Sequence, residues 1–208
     1  MIGRMAKDKS STQDFLGGQL LIAMPNMGDP RFDRSVVLIC SHDTDHAMGV
    51  ITNKRIDDVT FSELLAQLDI KPRKNALDTD VHFGGPVQTE RGLVLHTADY
   101  EIDKTLSLDG GLALTATRDI LVDIGGLEPK RPRPDKYLLA VGHAGWGPGQ
   151  LEQEIAMNAW LHCPADDDLI FNGGHEDAWN AALEKLGVTS AMLSPEWAST
   201  RDTGQPLN

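Results

Sequence analysis

Apolar and polar positions alternate in short bursts over the first third of the chain. Gln19 to Met24 (QLLIAM), Ser35 to Cys40 (SVVLIC) and Met48 to Thr52 (MGVIT) are apolar or β-branched runs bounded by turn residues, a pattern that predicts strands. His42-Asp-Thr-Asp-His46 then becomes a hairpin loop. Thr60-Phe-Ser-Glu63 has the S/T-x-x-E spacing of a capping box before Leu64, Leu65 and Leu68, which predicts a helix over about Phe61 to Leu68.

Val81 to Phe83, Gly92 to His96, Leu112 to Thr115 and Lys136 to Val141 read as four further strands. A helix starting near Thr117 is expected to stop at Gly125-Gly126, because glycine takes the left-handed cap conformation without strain. Leu151, Ile155 and Ala159 recur every four residues, with Glu152, Gln153 and Glu154 off their stripe, which predicts a helix from Pro148 to Leu161. Asp168 to Phe171 reads as a strand, and Glu176 to Leu186 as a helix stopped by Gly187 that carries Trp179, Leu183 and Leu186 on one side. Strands come early and helices bunch late, without regular alternation, so the pattern argues for an α+β fold over a doubly wound sheet.

Composition narrows the function classes. Nineteen basic against thirty-one acidic side chains leave a net charge of −12, which repels phosphate backbones and argues against direct nucleic-acid contact. The basic residues gather only in Lys71-Pro-Arg-Lys74 and in Lys130-Arg-Pro-Arg-Pro-Asp-Lys136, both read as solvated loops. Nothing approaches the roughly 18–20 apolar residues that span a bilayer, and Met1 to Asp14 has no apolar signal-peptide core, so a soluble cytoplasmic protein is expected. Residues 1–14 and 194–208 are polar and aperiodic and read as loosely held tails around one domain, 15–193. Cys40 lies in an apolar run and Cys163 at an expected helix end; both read as unpaired thiols.

Three patterns invite chemistry. Val141 to Ile155 reads as a strand end, a glycine-rich turn and a helix, the grammar of a phosphate loop. Its glycines, Gly142, Gly145, Gly147 and Gly149, do not follow the G-x-G-x-x-G order, and Glu152 and Glu154 occupy the first turn where a phosphate would sit. The expectation is a tight turn with Trp146 packed over it. His42-x-x-x-His46 with Asp43 and Asp45 has ligating chemistry, but no further ligand is singled out among His82, His96, His143, His162 and His175. No metal and no cofactor are expected. Ser35, Cys40 and Ser62 are the candidate nucleophiles, with no G-x-S-x-G elbow around any serine.

The ordered motifs Gly18-Gln-Leu-Leu-Ile-Ala-Met-Pro25, Phe32-Asp-Arg-Ser-Val-Val37 with His42, Ala47-Met-Gly-Val-Ile-Thr-Asn53, Phe83-Gly-Gly-Pro-Val87, Arg91-Gly-Leu-Val-Leu-His96 and Ala144-Gly-Trp-Gly-Pro-Gly-Gln-Leu-Glu152 resemble the YqgE/AlgH family of bacterial proteins. The likeness runs from about Leu16 to about Gly187. It implies an α+β fold with a bifurcated mixed sheet, partly closed into a small β-barrel and flanked by helices. The family brings no established activity, although its AlgH name carries a link to regulation of alginate synthesis genes and a transcriptional-regulator label. With this charge and no reading helix, such a role would be indirect, through a small molecule or a protein partner of a monomer or weak dimer. His46 stands where the family usually has glycine, and His143 where it has tyrosine.

Motif placement puts Arg34, Ser35, His42, Asn53, Arg91, His96, Gln150 and Glu152 in one expected groove beside Gly84, Gly85, Trp146 and His143. Two other readings stay open at this point: a small hydrolase using His42 or His96 as base, and direct DNA binding.

Overall fold

The computed structural model describes residues 15–193 apart from 26, 75–78 and 173–176. Both expected tails, His175 and the expected helix start at Glu176 lie outside the described residues. These form nine strands: β1 (Gln19–Ala23), β2 (Val36–His42), β3 (Ala47–Ile51), β4 (Val81–Phe83), β5 (Val87–Thr97), β6 (Leu106–Ser107), β7 (Leu112–Thr115), β8 (Tyr137–Trp146) and β9 (Trp160–Pro164). The helices are α1 (Phe61–Gln67), α2 (Arg118–Gly125), α3 (Gln150–Ala156) and α4 (Asp177–Lys185). The fold is α+β, with a curled sheet forming a half-barrel. Strands run in the order β6-β7-β5-β8-β3-β2-β1-β9, with β4 lying parallel beside β8 and every other pairing antiparallel.

Three apolar clusters follow from the two-residue period of the strands. Inside the curl, Leu20, Leu38, Leu95 and Leu138 meet Trp179, Ala182 and Leu183 of α4. On one outer face, Leu21, Val37, Ile39 and Trp160 are covered by Leu151 of α3. On the other, Val94 and Leu139 are covered by Phe61 and Leu65 of α1 and by Ile120 and Ile124 of α2.

The sheet forks at Gly142. The first half of β8 pairs with β5 and β4, while Ala144 to Trp146 pair with β3. Even-numbered side chains of β8 face the inner core at Leu138 and Ala140 but the α3 face at Ala144 and Trp146. Gly142 permits this change of face because its φ is 72°, in the left-handed region. Its partners in the crossing are also glycines: a Cβ on Gly84 would lie 2.3 Å from the Gly142 carbonyl oxygen, and one on Gly85 would lie 2.1 Å from the His143 backbone.

Several expectations are corrected. The run after Val141 is not yet a turn, for β8 continues to Trp146 and the strand-to-helix turn is Gly147-Pro148-Gly149. Helix α3 stops at Ala156, where Asn158 turns left-handed at φ 56°. Trp160 and Leu161 then form β9 against β1, so Cys163 lies in a strand instead of at a helix end. Asp168–Asn172 is a π-helical turn, not a strand; Asp166 Oδ1 accepts the Asp168 and Leu169 amides at its start. Helix α2 does end at Gly125-Gly126, but neither residue is left-handed. Glycine is required there by contact, since a Cβ on Gly125 would sit 2.4 Å from the Phe61 ring. The basic loop Lys71–Lys74 is tied to the end of α2 by the Pro72–Gly126 bridge and a Leu127 N–H bond to the Lys71 carbonyl.

Candidate functional site

The twelve residues singled out from sequence fall into four networks instead of one groove. The first lies under α3. An extra residue on β2 at Cys40 shifts the β2–β3 register, so that His42 pairs with Ala47 and points to the α3 face. There Nδ1 accepts the Leu16 N–H at 3.0 Å, which leaves Nε2 as the donor to Glu152 Oε1 at 3.0 Å. Two residues on, Glu154 accepts from the indoles of Trp146 at 2.9 Å and Trp160 at 2.8 Å and from the Gln150 amide at 2.9 Å. The two indoles meet edge to face at 6.0 Å, and Trp160 meets Phe32 the same way at 5.6 Å. His42, Trp146, Gln150 and Glu152 are thus brought together as the clamp that fixes α3 to the sheet.

The second network ties the entry of β2. Asn53 Oδ1 accepts the Val36 N–H at 2.8 Å while Nδ2 donates to the Arg34 carbonyl at 2.9 Å. Arg34 lies over the Trp179 ring at 5.8 Å, and the Ser35 hydroxyl is fully buried with no hydrogen bond among the described residues. The third is the fork, where Gly84 and Gly85 cross β8 and His143 pairs with Val87. Burial and the nearby Arg91 guanidinium push the His143 imidazole below its ordinary range. The fourth is a buried relay of hydroxyls. Thr105 donates to Thr115, Thr115 to His96 Nε2, and His96 Nδ1–H to the Thr97 carbonyl, at 2.8, 2.9 and 2.8 Å. The carbonyl can only accept, so Nδ1 carries a proton; in the neutral imidazole Nε2 then accepts from Thr115, whose oxygen is left to accept from Thr105. Burial holds the imidazole pKa below the usual value.

Both ring nitrogens of His42 and of His96 are therefore occupied. Among the candidate nucleophiles, burial pushes the Cys40 thiol up to about 12, and Ser62 lies against the capping Thr60 at 3.1 Å. His46 pairs with Asp43 at 3.0 Å on an exposed turn. Among the described residues, no cluster of three or more His, Cys, Asp or Glu is placed to hold a metal ion, and no helix is long and apolar enough to cross a membrane.

The site that sequence reasoning missed lies on the other outer face. Strands β5 and β7 pair up to Val94 and Thr115; beyond that point β7 turns into α2 while β5 continues along β8. A cleft of about 210 Å³ opens in this angle, closed on its far side by α1. Leu64, Val94, Leu121, Leu139 and Val141 give it an apolar lining, and Glu90, Arg91, Thr117 and Arg118 add its polar groups. Gly92 lines it without a side chain, and a Cβ there would meet nothing within 4 Å. Arg118 is committed to the Leu68 and Asp69 carbonyls at 3.1 and 3.2 Å and so ties α2 to α1. Among the described residues, Arg91 has only a 3.3 Å bond to Gln88, and the Thr117 hydroxyl, buried at the start of α2, makes no hydrogen bond. Of the twelve expected residues, Arg91 alone lines this cleft.

A family model described as AlgH-like matches residues 20–191. The chain belongs to the AlgH-like family. A UPF0301 protein of Caulobacter vibrioides is 50% identical over 182 residues, covering 87% of this chain and 92% of its own. One from Nitrobacter hamburgensis is 48% identical over 206 residues, covering 93% and 94%. The solution structure of the AlgH protein from Pseudomonas aeruginosa superposes with a TM-score of 0.73 at 37% identity, over 96% of this chain and 100% of that one. A crystal structure of a Corynebacterium diphtheriae protein shares the fold, with a TM-score of 0.62 at 24% identity over 87% and 90%. The matched region includes the fork, the α3 clamp and the cleft.

Proposed function

We propose that this AlgH-like protein is a non-catalytic binding protein of the cytoplasm, with the cleft between β5, β8, α1 and α2 as its ligand site. The observation that carries this reading is an apolar cleft with free space at Gly92 and polar groups from β5 and α2. Apolar concavities with a few fixed polar groups are the usual form of small-molecule sites. The engagement of both nitrogens of His42 and His96 supports binding over hydrolysis, since neither imidazole has a lone pair left for a substrate. An effect on gene expression would pass through the ligand or a partner protein, because a chain of net charge −12 is repelled by DNA.

The test is a thermal-shift screen of small carboxylates, alcohols, amines and aromatic compounds on the wild type and on Gly92→Phe, which fills the cleft from a position with free space. A ligand that binds the native state at 100 times its Kd stabilises it by about 2.7 kcal/mol. The expected result is a rise in Tm for the wild type that Gly92→Phe abolishes. Equal shifts in both proteins would place the ligand elsewhere.

A further inference from the structure

Resting on the binding reading above, we infer that the ligand class of this cleft is a short amphipathic carboxylate, with its apolar chain in the cleft and its carboxylate at Arg91 and the Thr117 hydroxyl. Size sets the first limit. A dry apolar cavity of about 150 Å³ takes benzene, whereas clefts for drug-sized ligands start near 300 Å³, to order of magnitude. A cleft of about 210 Å³ lies between them and suits a chain or ring a few atoms larger than benzene.

The lining sets the second limit, the place of the charge. Where β7 ends at Thr115 and parts from β5, Arg91 and Gly92 of β5 and Thr117 at the start of α2 line the same cleft. Gly92 offers bare backbone there, and the Thr117 hydroxyl has no hydrogen bond among the described residues. Arg91 stands one residue beyond with most of its donors uncommitted. A buried hydroxyl without a partner is costly to leave unmade, and a carboxylate oxygen is an acceptor that resolves it. The same carboxylate can take a charge-assisted bond from the guanidinium. Glu90 is the opposing charge on the lining and acts against an anion. Arg91 and Arg118 outnumber it, and Arg118 is held in place by the carbonyls at the end of α1.

The experiment compares hexanoate, hexanol and hexylamine as probes, each titrated into labelled full-length wild type, Arg91→Gln and Gly92→Phe, with backbone amide shifts giving site and Kd. The expected result is saturable shifts at Gly92, Thr117 and Leu121, hexanoate binding about tenfold tighter than hexanol and hexylamine weakest. Arg91→Gln, an exposed substitution, should remove the hexanoate advantage and leave hexanol unchanged, whereas Gly92→Phe should abolish all three. Equal binding of hexanoate and hexanol would overturn the carboxylate assignment while leaving the binding site in place. Tighter hexylamine would overturn it too, in favour of an ammonium ligand at Glu90. Absence of cleft shifts with every probe in the folded wild type would overturn both the assignment and the reading beneath it.

Discussion

Glu154 is the acceptor for two indole N–H groups and an amide that come from β8, β9 and its own helix. Truncation leaves two partly buried indole donors unmade, so Glu154→Ala is expected to lower stability by about 2–3 kcal/mol. Urea unfolding followed by tryptophan fluorescence measures it, and an unchanged midpoint would show that water replaces the carboxylate. A second residue-scale prediction concerns pH. His96 and His143 both have folded pKa values below the ordinary 6.5, so as pH falls through about 6.5 the unfolded chain takes up protons before the folded one. Stability is therefore present above that pH and declines below it, until the lowered folded values are reached. The denaturation midpoint should fall from about pH 7.5 to about pH 5.5, less steeply in His96→Gln than in wild type. Equal slopes would remove His96 from the account. In the sequence, Glu154 is only a charge off the apolar stripe of α3, and its role depends on Trp160, which periodicity places in the same helix but the fold places on a strand. His42 was legible as a candidate; its orientation depends on the bulge at Cys40, which leaves no mark in composition.

At the scale of elements, glycines divide into those that permit a crossing and one that leaves room. Gly85 has φ 148°, and a Cβ there would meet the His143 backbone at 2.1 Å. Gly85→Ala is therefore expected to cost about 3 kcal/mol or more, while Gly92→Ala should stay within about 0.5 kcal/mol of wild type. Chemical unfolding of the two variants side by side checks this, and comparable losses would contradict the open space assigned to Gly92. Asn158 ends α3 at φ 56°, so Asn158→Val should lower stability by about 1–2 kcal/mol and Asn158→Gly change it little. Local signals gave the early elements well: the Thr60–Glu63 capping box forms both of its bonds, and the first three strands lie within two residues of their expected bounds. The same signals failed where tertiary pairing overrides them. The glycines of Val141 to Gly149 look like a turn, yet β3 and Val87 hold Gly142 to Trp146 as strand. Leu151, Ile155 and Ala159 keep helical spacing, yet the pairing of Trp160 with Ala23 ends the helix early.

The whole molecule is a curled sheet whose two outer faces have different covers. On one face α3 is clamped down by Glu152 and Glu154 and leaves its polar motif residues engaged in structure. On the other, α1 and α2 cover the sheet incompletely, and the remaining gap is the cleft. The motifs disclosed the family and the fold, because each preserves a strand, a turn or a crossing. They did not disclose the cleft, because it is bounded by four elements far apart in the chain and its defining residue, Gly92, contributes the absence of a side chain. The measurement that tests this most directly is an NMR titration of wild type and Gly92→Phe with hexanol, a neutral probe that asks only whether the cleft accepts an apolar chain. Saturable amide shifts are expected at Val94, Leu121 and Val141 in the wild type and none there in Gly92→Phe. Shifts that persist in the variant, or that fall outside the cleft, would contradict the cleft as the binding site.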